Sequence, residues 1–475
     1  MKKIVIVGGG IGGLAAGALL LKRGYDVTVV EKNIRVGGRA SYLEIDGYGF
    51  DMGPTWYMMD DIYRSYFHQL GSLPGYYKRL KMLDPMFTIY IRGKRIDVYP
   101  DVEALASTME EIEPRFGEKF ISILNRSTDI YRLVLEKLLY RDYRKPWSML
   151  TPDVLRIYKY VEPAKKMLDG LFKREEPKIL LGYDSLFLGT PPWELPSLYL
   201  LLMTHSVFRG GVYYPYGGMR MIPRYLESYI VDRGGRIITG CEVRKIEVVD
   251  GYAKKVKSSC CDIDADIVVA NADYAHVELD LLEDRYRSYD EKYWLSRKLA
   301  PSALILYLGL EKDLEDSHHI IVINSWDEHF EKIFRDPGFP NNPSYYIHNP
   351  YPLIESVKPG IMVLIPLSPG LKVNPSETLN LIIRKVEKDL MRKIDPKIKA
   401  VFTPRDFEYR YNAFMGTALG LRHTMDQTAY YRPSIKSKKV KNLYFVGQYV
   451  HPGIGVPMVL ASSQIVVRAI DDDLQ

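Results

Sequence analysis

What this sequence lacks narrows it first. Among 475 residues there are three cysteines, Cys241, Cys260 and Cys261. The two neighbours form no C-x-x-C or metal-ligand spacing, so the reading is a reducing, cytosolic setting with no structural disulfide and no metal site. No window of about 18 apolar residues runs unbroken; beyond the N-terminus the nearest, residues 198–208, is interrupted by Thr204, His205 and Ser206. A membrane-spanning helix is not expected. Internal repeats and low-complexity tails are also missing. Net charge is only +6, which permits attraction to anionic lipid but falls far short of a nucleic-acid-binding signature, so no nucleic-acid partner is expected.

What is present is organised around residues 3–39. Residues 4–7 are a short β-branched run suited to a strand buried on both faces of a parallel sheet. It ends at Gly8, and Gly8, Gly10 and Gly13 then fall in the G-x-G-x-x-G spacing. The first glycine allows the tight turn, the second lets a pyrophosphate reach the backbone, and the third lets the helix pack on the strand. A helix over residues 14–23 directs free N–H groups at the phosphates. Residues 25–30 return as a second strand with Glu31 at its tip, where an acid meets the ribose hydroxyls of a dinucleotide. Lys2 and Lys3 before this apolar stretch imitate a secretory signal, but glycines break the run and no small-residue cleavage site follows.

Downstream, a chain this long builds two or more domains. Residues 87–99 alternate about Arg92, Gly93 and Lys94 and read as a hairpin. Residues 101 to about 190 look helical. Within them, residues 145–178 join lysines and arginines to Trp147, Met149, Leu155, Tyr158 and Phe172. That composition fits either an ordinary cap with its apolar faces inward or an amphipathic surface lying in the lipid interface. A helix over 220–232, strands near 236–249 and 264–272 and a turn at Asp250 and Gly251 return to the nucleotide-binding part. Three β-rich runs within 301–367 suggest an antiparallel sheet. Residues 376–394 form an amphipathic helix with Ser376 as its N-cap, and its apolar stripe is assigned to core packing. The chain closes with a buried strand at 443–446, a loop containing Gly453, Gly455 and Pro457, and a helix over 459–470.

Gly37, Gly38 and Arg39 follow the first fingerprint, and Phe50, Asp51, Met52, Gly53 and Pro54 come next. In these segments the chain resembles the flavoprotein superfamily of amine oxidases and carotenoid desaturases. Three longer stretches narrow the likeness: DMGPTWYMM at 51–59, SLFLGTPPWELPSLYLLL through GGVYYPYGGM at 185–219, and YNAFMGTALGLRH, QTAYYRPS and NLYFVGQYVHPGIGVPMV within 411–459. They resemble bacterial and archaeal phytoene desaturases along the whole chain. The resemblance implies FAD, whereas glycine spacing alone leaves NAD open. It implies that Gly8, Gly10, Gly13, Glu31, Gly37, Gly38 and Arg39 bind the ADP half and pyrophosphate, and that Val243 meets adenine through its backbone. It further implies that Gly447 approaches the pyrophosphate from the other side, and that Val456, Pro457 and Met458 sit at the flavin ring with Gly53, Pro54, Thr55, Gly217 and Gly218 bordering the isoalloxazine.

The fold so implied is α/β, with a Rossmann-type FAD-binding domain from 1–75, 211–275 and 435–475. A discontinuous substrate domain of antiparallel sheet and helices spans 76–210 and 276–434. The implied activity is FAD-dependent desaturation of a carotenoid precursor such as phytoene, at the inner face of the membrane and with quinone or oxygen as electron acceptor. Alternatives on the same scaffold are a carotenoid isomerase, saturase or oxidase. One of another class is a non-catalytic isoprenoid-binding chaperone resembling Rab GDP-dissociation inhibitors, which the complete phosphate and flavin loops oppose. Two departures stand out. Where family members often carry acids before the tyrosine-rich segment, this chain has His205 and Arg209, and where they have a small pair after Gly447 it has Gln448 and Tyr449. Candidates for a base are Glu408, Arg410, His423, Asp426, His205 and, first among them, His451 beside the flavin loop.

Overall fold

The computed structural model describes residues 1–354, 356 and 358–474. Its first sheet has five strands, all parallel, in the order Leu443–Phe445, Ile267–Ala270, Lys3–Val7, Asp26–Val30 and Arg236–Ile238. Val5, Ile6, Val268 and Val269 are fully buried at its centre, as a parallel sheet covered on both faces requires. Helices Ile11–Lys22 and Val456–Leu474 pack against one another beside it, so the two ends of the chain meet over the first glycine turn.

The second sheet has seven strands, ordered Ile398–Phe402, Ser302–Gly309, Gly360–Leu367, Tyr345–His348, His319–Ile323, Phe87–Ile91 and Lys94–Val98. Its pairs are antiparallel except one. The strands within 301–367 pair antiparallel as expected, while His319–Ile323 runs parallel to Phe87–Ile91. Two segments distant in sequence share this edge, and a parallel pair needs no tight hairpin between its members. One face of the sheet packs under helix Pro375–Asp389 through Ile382, Ile383 and Val386; the other turns toward the rest of the molecule.

The predicted hairpins form. Arg92 and Gly93 take φ of 51° and 84°, and Asp250 and Gly251 take 52° and 77°, the left-handed pairs that two-residue turns need. Helix 375–389 starts one residue before the predicted cap. Asn374 Oδ1 accepts the Ser376 N–H at 3.1 Å, and Pro375 occupies the first helical position, where its missing N–H costs nothing. Ser376 therefore lies inside the helix rather than capping it.

The cysteine expectation is overturned. Cys241 and Cys260 form a disulfide across a Cα separation of 5.6 Å. Cys241 precedes strand Val243–Val249, Cys260 follows its partner strand Tyr252–Ser258, and Val243 pairs with Ser258. Antiparallel register brings the two ends together although the residues are 19 apart in sequence. Cys261 stays free and exposed.

Candidate functional site

The glycine turn is built as a cradle. Gly8 takes φ of 98° and its N–H donates to Val30 O at 2.8 Å. A Cβ on Gly13 would stand 2.2 Å from Gly8 O, and one on Gly10 would stand 2.7 Å from Asn271 Nδ2. Helix Ile11–Lys22 has Gly10 as its N-cap and no side-chain cap, which leaves its first-turn N–H groups to an anionic ligand. Glu31 is buried at the strand tip. Its carboxylate accepts from Gly9 N at 2.7 Å on one oxygen and from Asn33 N at 2.7 Å on the other. The second glycine turn closes on the first, with Gly37 N donating to Gly9 O at 2.8 Å.

From this cradle a single cavity of about 1100 Å³ runs into the molecule, at the upper end for small-molecule sites. It is lined by Gly8, Gly10, Glu31, Gly37, Gly38 and Arg39 at one end, by Val243 and Gly447 beside them, and by Gly53, Pro54, Thr55, Val456, Pro457 and Met458 further in. These residues come from both termini and the middle of the chain. Three do not line it. Gly13 lies behind the turn in the helix–strand contact. Gly217 and Gly218 take φ of 98° and 93° in the turn after strand Tyr213–Pro215, where a Cβ on Gly218 would stand 3.0 Å from Asp51 Oδ1. Their positive φ lets that turn pass over the buried Asp51 carboxyl.

The loop after Gly447 is held from outside. Arg432, fully buried, donates to Gln448 O at 3.1 Å and to Leu421 O at 3.4 Å. Tyr449 and Asp273 both line the cavity, and the Tyr449 hydroxyl donates to Asp273 there. Arg39 donates to Thr417 O at 3.2 Å, while its Nε has no protein partner among the described residues.

The predicted bases separate. His205 bonds Thr128, stacks on Tyr131 and is not in the cavity wall; Glu408 is also outside it. His423, Arg410, Asp426 and His451 do line the cavity. His451 contacts Leu139 O through Nε2 at 2.9 Å, so that nitrogen carries the proton, and burial pushes the ring down to about 4. His423 likewise contacts a carbonyl, Leu188 O, and is pushed down to about 3 by burial.

A carboxyl not among those candidates is better poised. Asp184 is buried in the cavity wall next to Leu186 and Phe187, one of its oxygens has no partner among the described residues, and burial pushes it up to about 7. Its sequence signal is faint, a lone acid in the otherwise apolar run ILLGYDSLFLG.

At its far end the cavity is walled by Met149, Leu150, Val154, Leu155, Ile157 and Tyr158. Several of these also face solvent: Leu150 is 83% exposed, Leu155 72% and Tyr158 66%, with Trp147 beside them at 63%. Tyr160, Ala164, Leu168 and Phe172 turn inward to the core. Residues 145–178 thus divide between an exposed apolar rim at a cavity mouth and an ordinary packed cap. No helix among the described residues is long and apolar enough to cross a membrane.

Residues 11–471 match the family described as flavin containing amine oxidoreductase. The chain is 38% identical to carotenoid 3,4-desaturase of Haloarcula japonica, across 99% of this chain and 98% of that one. It is 32% identical to a 4,4'-diapophytoene desaturase (4,4'-diaponeurosporene-forming) of Staphylococcus haemolyticus, across 99% of each. Among solved structures, an oxidoreductase from Methanosarcina mazei superposes with a TM-score of 0.65 at 17% identity, covering 99% of this chain and all of that one. That likeness speaks for the fold alone.

Proposed function

Because the chain belongs to the carotenoid-desaturase branch of the flavin-containing amine oxidoreductase family, with FAD as its cofactor, we propose that it desaturates a long isoprenoid of the carotenoid pathway, phytoene or a close relative. The observation that carries this reading is the single cavity joining the glycine cradle to an exposed apolar rim. A polyene has no polar handle, so only a long apolar passage can hold it, and it arrives from a bilayer. The relatives named for carotenoid substrates support the same choice.

The division of labour follows from the residues. Gly8, Gly10, Glu31, Gly37, Gly38 and Arg39 hold the nucleotide half, and Gly53, Pro54, Thr55 and Val456, Pro457, Met458 flank the ring. Gly13 acts through helix packing. Residues 1–75, 211–275 and 435–475 form the cofactor domain, while 76–210 and 276–434 form the substrate domain. Desaturation removes a hydride from one carbon and a proton from its neighbour as the double bond forms. Bound FAD supplies the hydride acceptor, and quinone or oxygen takes the electrons afterwards. The carboxylate of Asp184 takes the proton. It is preferred to His451, whose ring is the weaker base and whose Nε2–H is committed to Leu139. The rim of Trp147, Leu150, Leu155 and Tyr158 seats the protein peripherally on the inner membrane face, where the substrate enters.

The deciding experiment is incubation of the purified yellow protein with phytoene in liposomes and a quinone, followed by pigment analysis. Absorbance advancing stepwise into the visible is the expected result. Geometric isomers alone, or consumption of double bonds, would assign the isomerase or saturase reading instead, and a colourless protein without flavin would assign the chaperone.

A further inference from the structure

Behind the wall of the large cavity, at the ends of two inner strands of the seven-stranded sheet, three histidines converge. His319 and His348 are direct cross-strand partners, so their side chains leave the same face of the sheet. His318 lies just before its strand, where the chain bends, and its carbonyl accepts from Asn349 N at 2.8 Å. That bend turns a third imidazole toward the pair. One nitrogen from each ring lies within 4.8 Å of the other two.

All three rings are buried, His319 at 0% exposure and His348 at 1%. Both nitrogens of His318, Nε2 of His319 and Nε2 of His348 have no hydrogen-bond partner among the described residues. Four orphaned nitrogens in one buried cluster are costly, since each forgoes the bond it would make in water. Buried polar groups left open in this way call for a ligand, an ion or an ordered water.

We propose that His318, His319 and His348 form a binding site for a first-row transition-metal ion of the zinc class. Three imidazoles with neither thiolate nor carboxylate suit zinc and its neighbours rather than magnesium or calcium. The surroundings supply the outer support such sites need. His319 Nδ1 contacts Tyr346 OH at 2.6 Å, and that hydroxyl meets Thr55 Oγ1 at 2.7 Å. With the metal on Nε2, Nδ1 donates to Tyr346, which fixes the tautomer and the ring. Trp56 stacks on the His319 ring at 4.2 Å. The buried Asp51 carboxyl provides negative charge close by: it accepts from Tyr214 OH at 2.6 Å, and the Tyr214 ring lies 4.3 Å from that of His318. A second cavity, of about 440 Å³, is lined by His318 and Asp316 and gives the ion a way in. The sequence expectation of no metal rests on cysteine spacing and leaves this histidine cluster untouched.

The test uses the flavin-loaded full chain with any affinity tag removed. After dialysis against a chelator, zinc chloride is titrated in competition with a chromophoric chelator, and bound zinc is counted by elemental analysis. One zinc per chain, bound at sub-micromolar Kd and raising Tm, is the expected result. His348→Gln and His318→Gln should each weaken binding by at least about 100-fold, and Tyr346→Phe, which keeps all three ligands, by roughly 10- to 100-fold. Absence of stoichiometric zinc in the wild-type protein overturns the proposal. So does zinc that survives both histidine variants but is lost in Cys261→Ser, which would assign it to the exposed Cys261 thiol. If a histidine variant fails to fold, the wild-type stoichiometry and Tyr346→Phe decide the matter.

Discussion

Tyr449 donates its hydroxyl to Asp273 Oδ2 at 2.6 Å, tying the loop after the last strand to the helical turn that follows strand Ile267–Ala270. Asp273 also caps that turn by accepting from Ala275 N at 3.2 Å. Burial raises the Asp273 carboxyl above its ordinary range, and the Tyr449 hydroxyl partly offsets this. The residue that departs from the small pair of the family is therefore a brace for the cofactor loop. Tyr449→Phe leaves a buried carboxyl short of one donor, at a cost of about 1–3 kcal/mol. Thermal unfolding of the flavin-loaded protein should show a Tm lower by a few degrees, and an unchanged Tm would remove the brace.

Asp184 ionises near 3.8 in the unfolded chain and at about 7 in the folded one, because burial disfavours its charge. The folded state then binds the extra proton between those values. Its contribution to stability is complete below about pH 4 and is lost as pH rises to about 7, roughly 4 kcal/mol in all. Asp184→Asn should flatten that decline in denaturant titrations across the window. As the proton acceptor, Asp184 must be ionised, so turnover should fall on the acid side with a midpoint near 7. The Asn variant should lose about 10²- to 10⁴-fold in rate together with that acid limb. A variant that keeps both acquits the residue.

Much of the nucleotide cradle is legible in the sequence because its constraints are local. Gly8 must take positive φ and Gly13 must admit Gly8 O, and both demands are written within a dozen residues. Asp184, the Cys241–Cys260 disulfide and the histidine cluster are not legible in that way. Asp184 depends on burial set by distant segments, while the disulfide and the histidine cluster depend on exact strand register, as when His319 meets His348 only through the pairing of two strands. Gly217 and Gly218 are local again, since their positive φ lets the turn pass over Asp51.

Glu31 orders the turn with charge-assisted bonds to Gly9 and Asn33. Glu31→Gln cannot accept on both sides, because its amide nitrogen meets one of the two N–H groups. Loss of one such bond, about 1.5–3 kcal/mol, should weaken FAD binding by roughly 10- to 100-fold. Titration of the apoprotein followed by flavin fluorescence measures this.

Gly13→Ala places a methyl 2.2 Å from Gly8 O, with Asn271 and Ile6 also in reach. Backbone cannot yield as a flexible side chain does, so helix Ile11–Lys22 must lift from the sheet. The expected outcome is protein purified without flavin and with lowered Tm. Gly170→Ala, where a methyl meets nothing within 4 Å, is the matched control and should leave both unchanged.

The rim at the cavity mouth separates membrane seating from chemistry. Leu150 and Leu155 are 83% and 72% exposed and belong to no packed core, so charging them should leave the fold intact. Each leucine buried in lipid contributes about 1.5–3 kcal/mol, and losing both lowers partitioning by at least about 100-fold. Leu150→Glu with Leu155→Glu should therefore shift the protein from the liposome pellet to the supernatant with flavin content and Tm preserved. Turnover of phytoene in liposomes should fall with it, while turnover of detergent-dispersed substrate should be largely retained, since Asp184 and the glycine cradle lie deeper in the cavity. A double variant that still sediments with liposomes refutes the seating of the rim, whatever becomes of the desaturation itself.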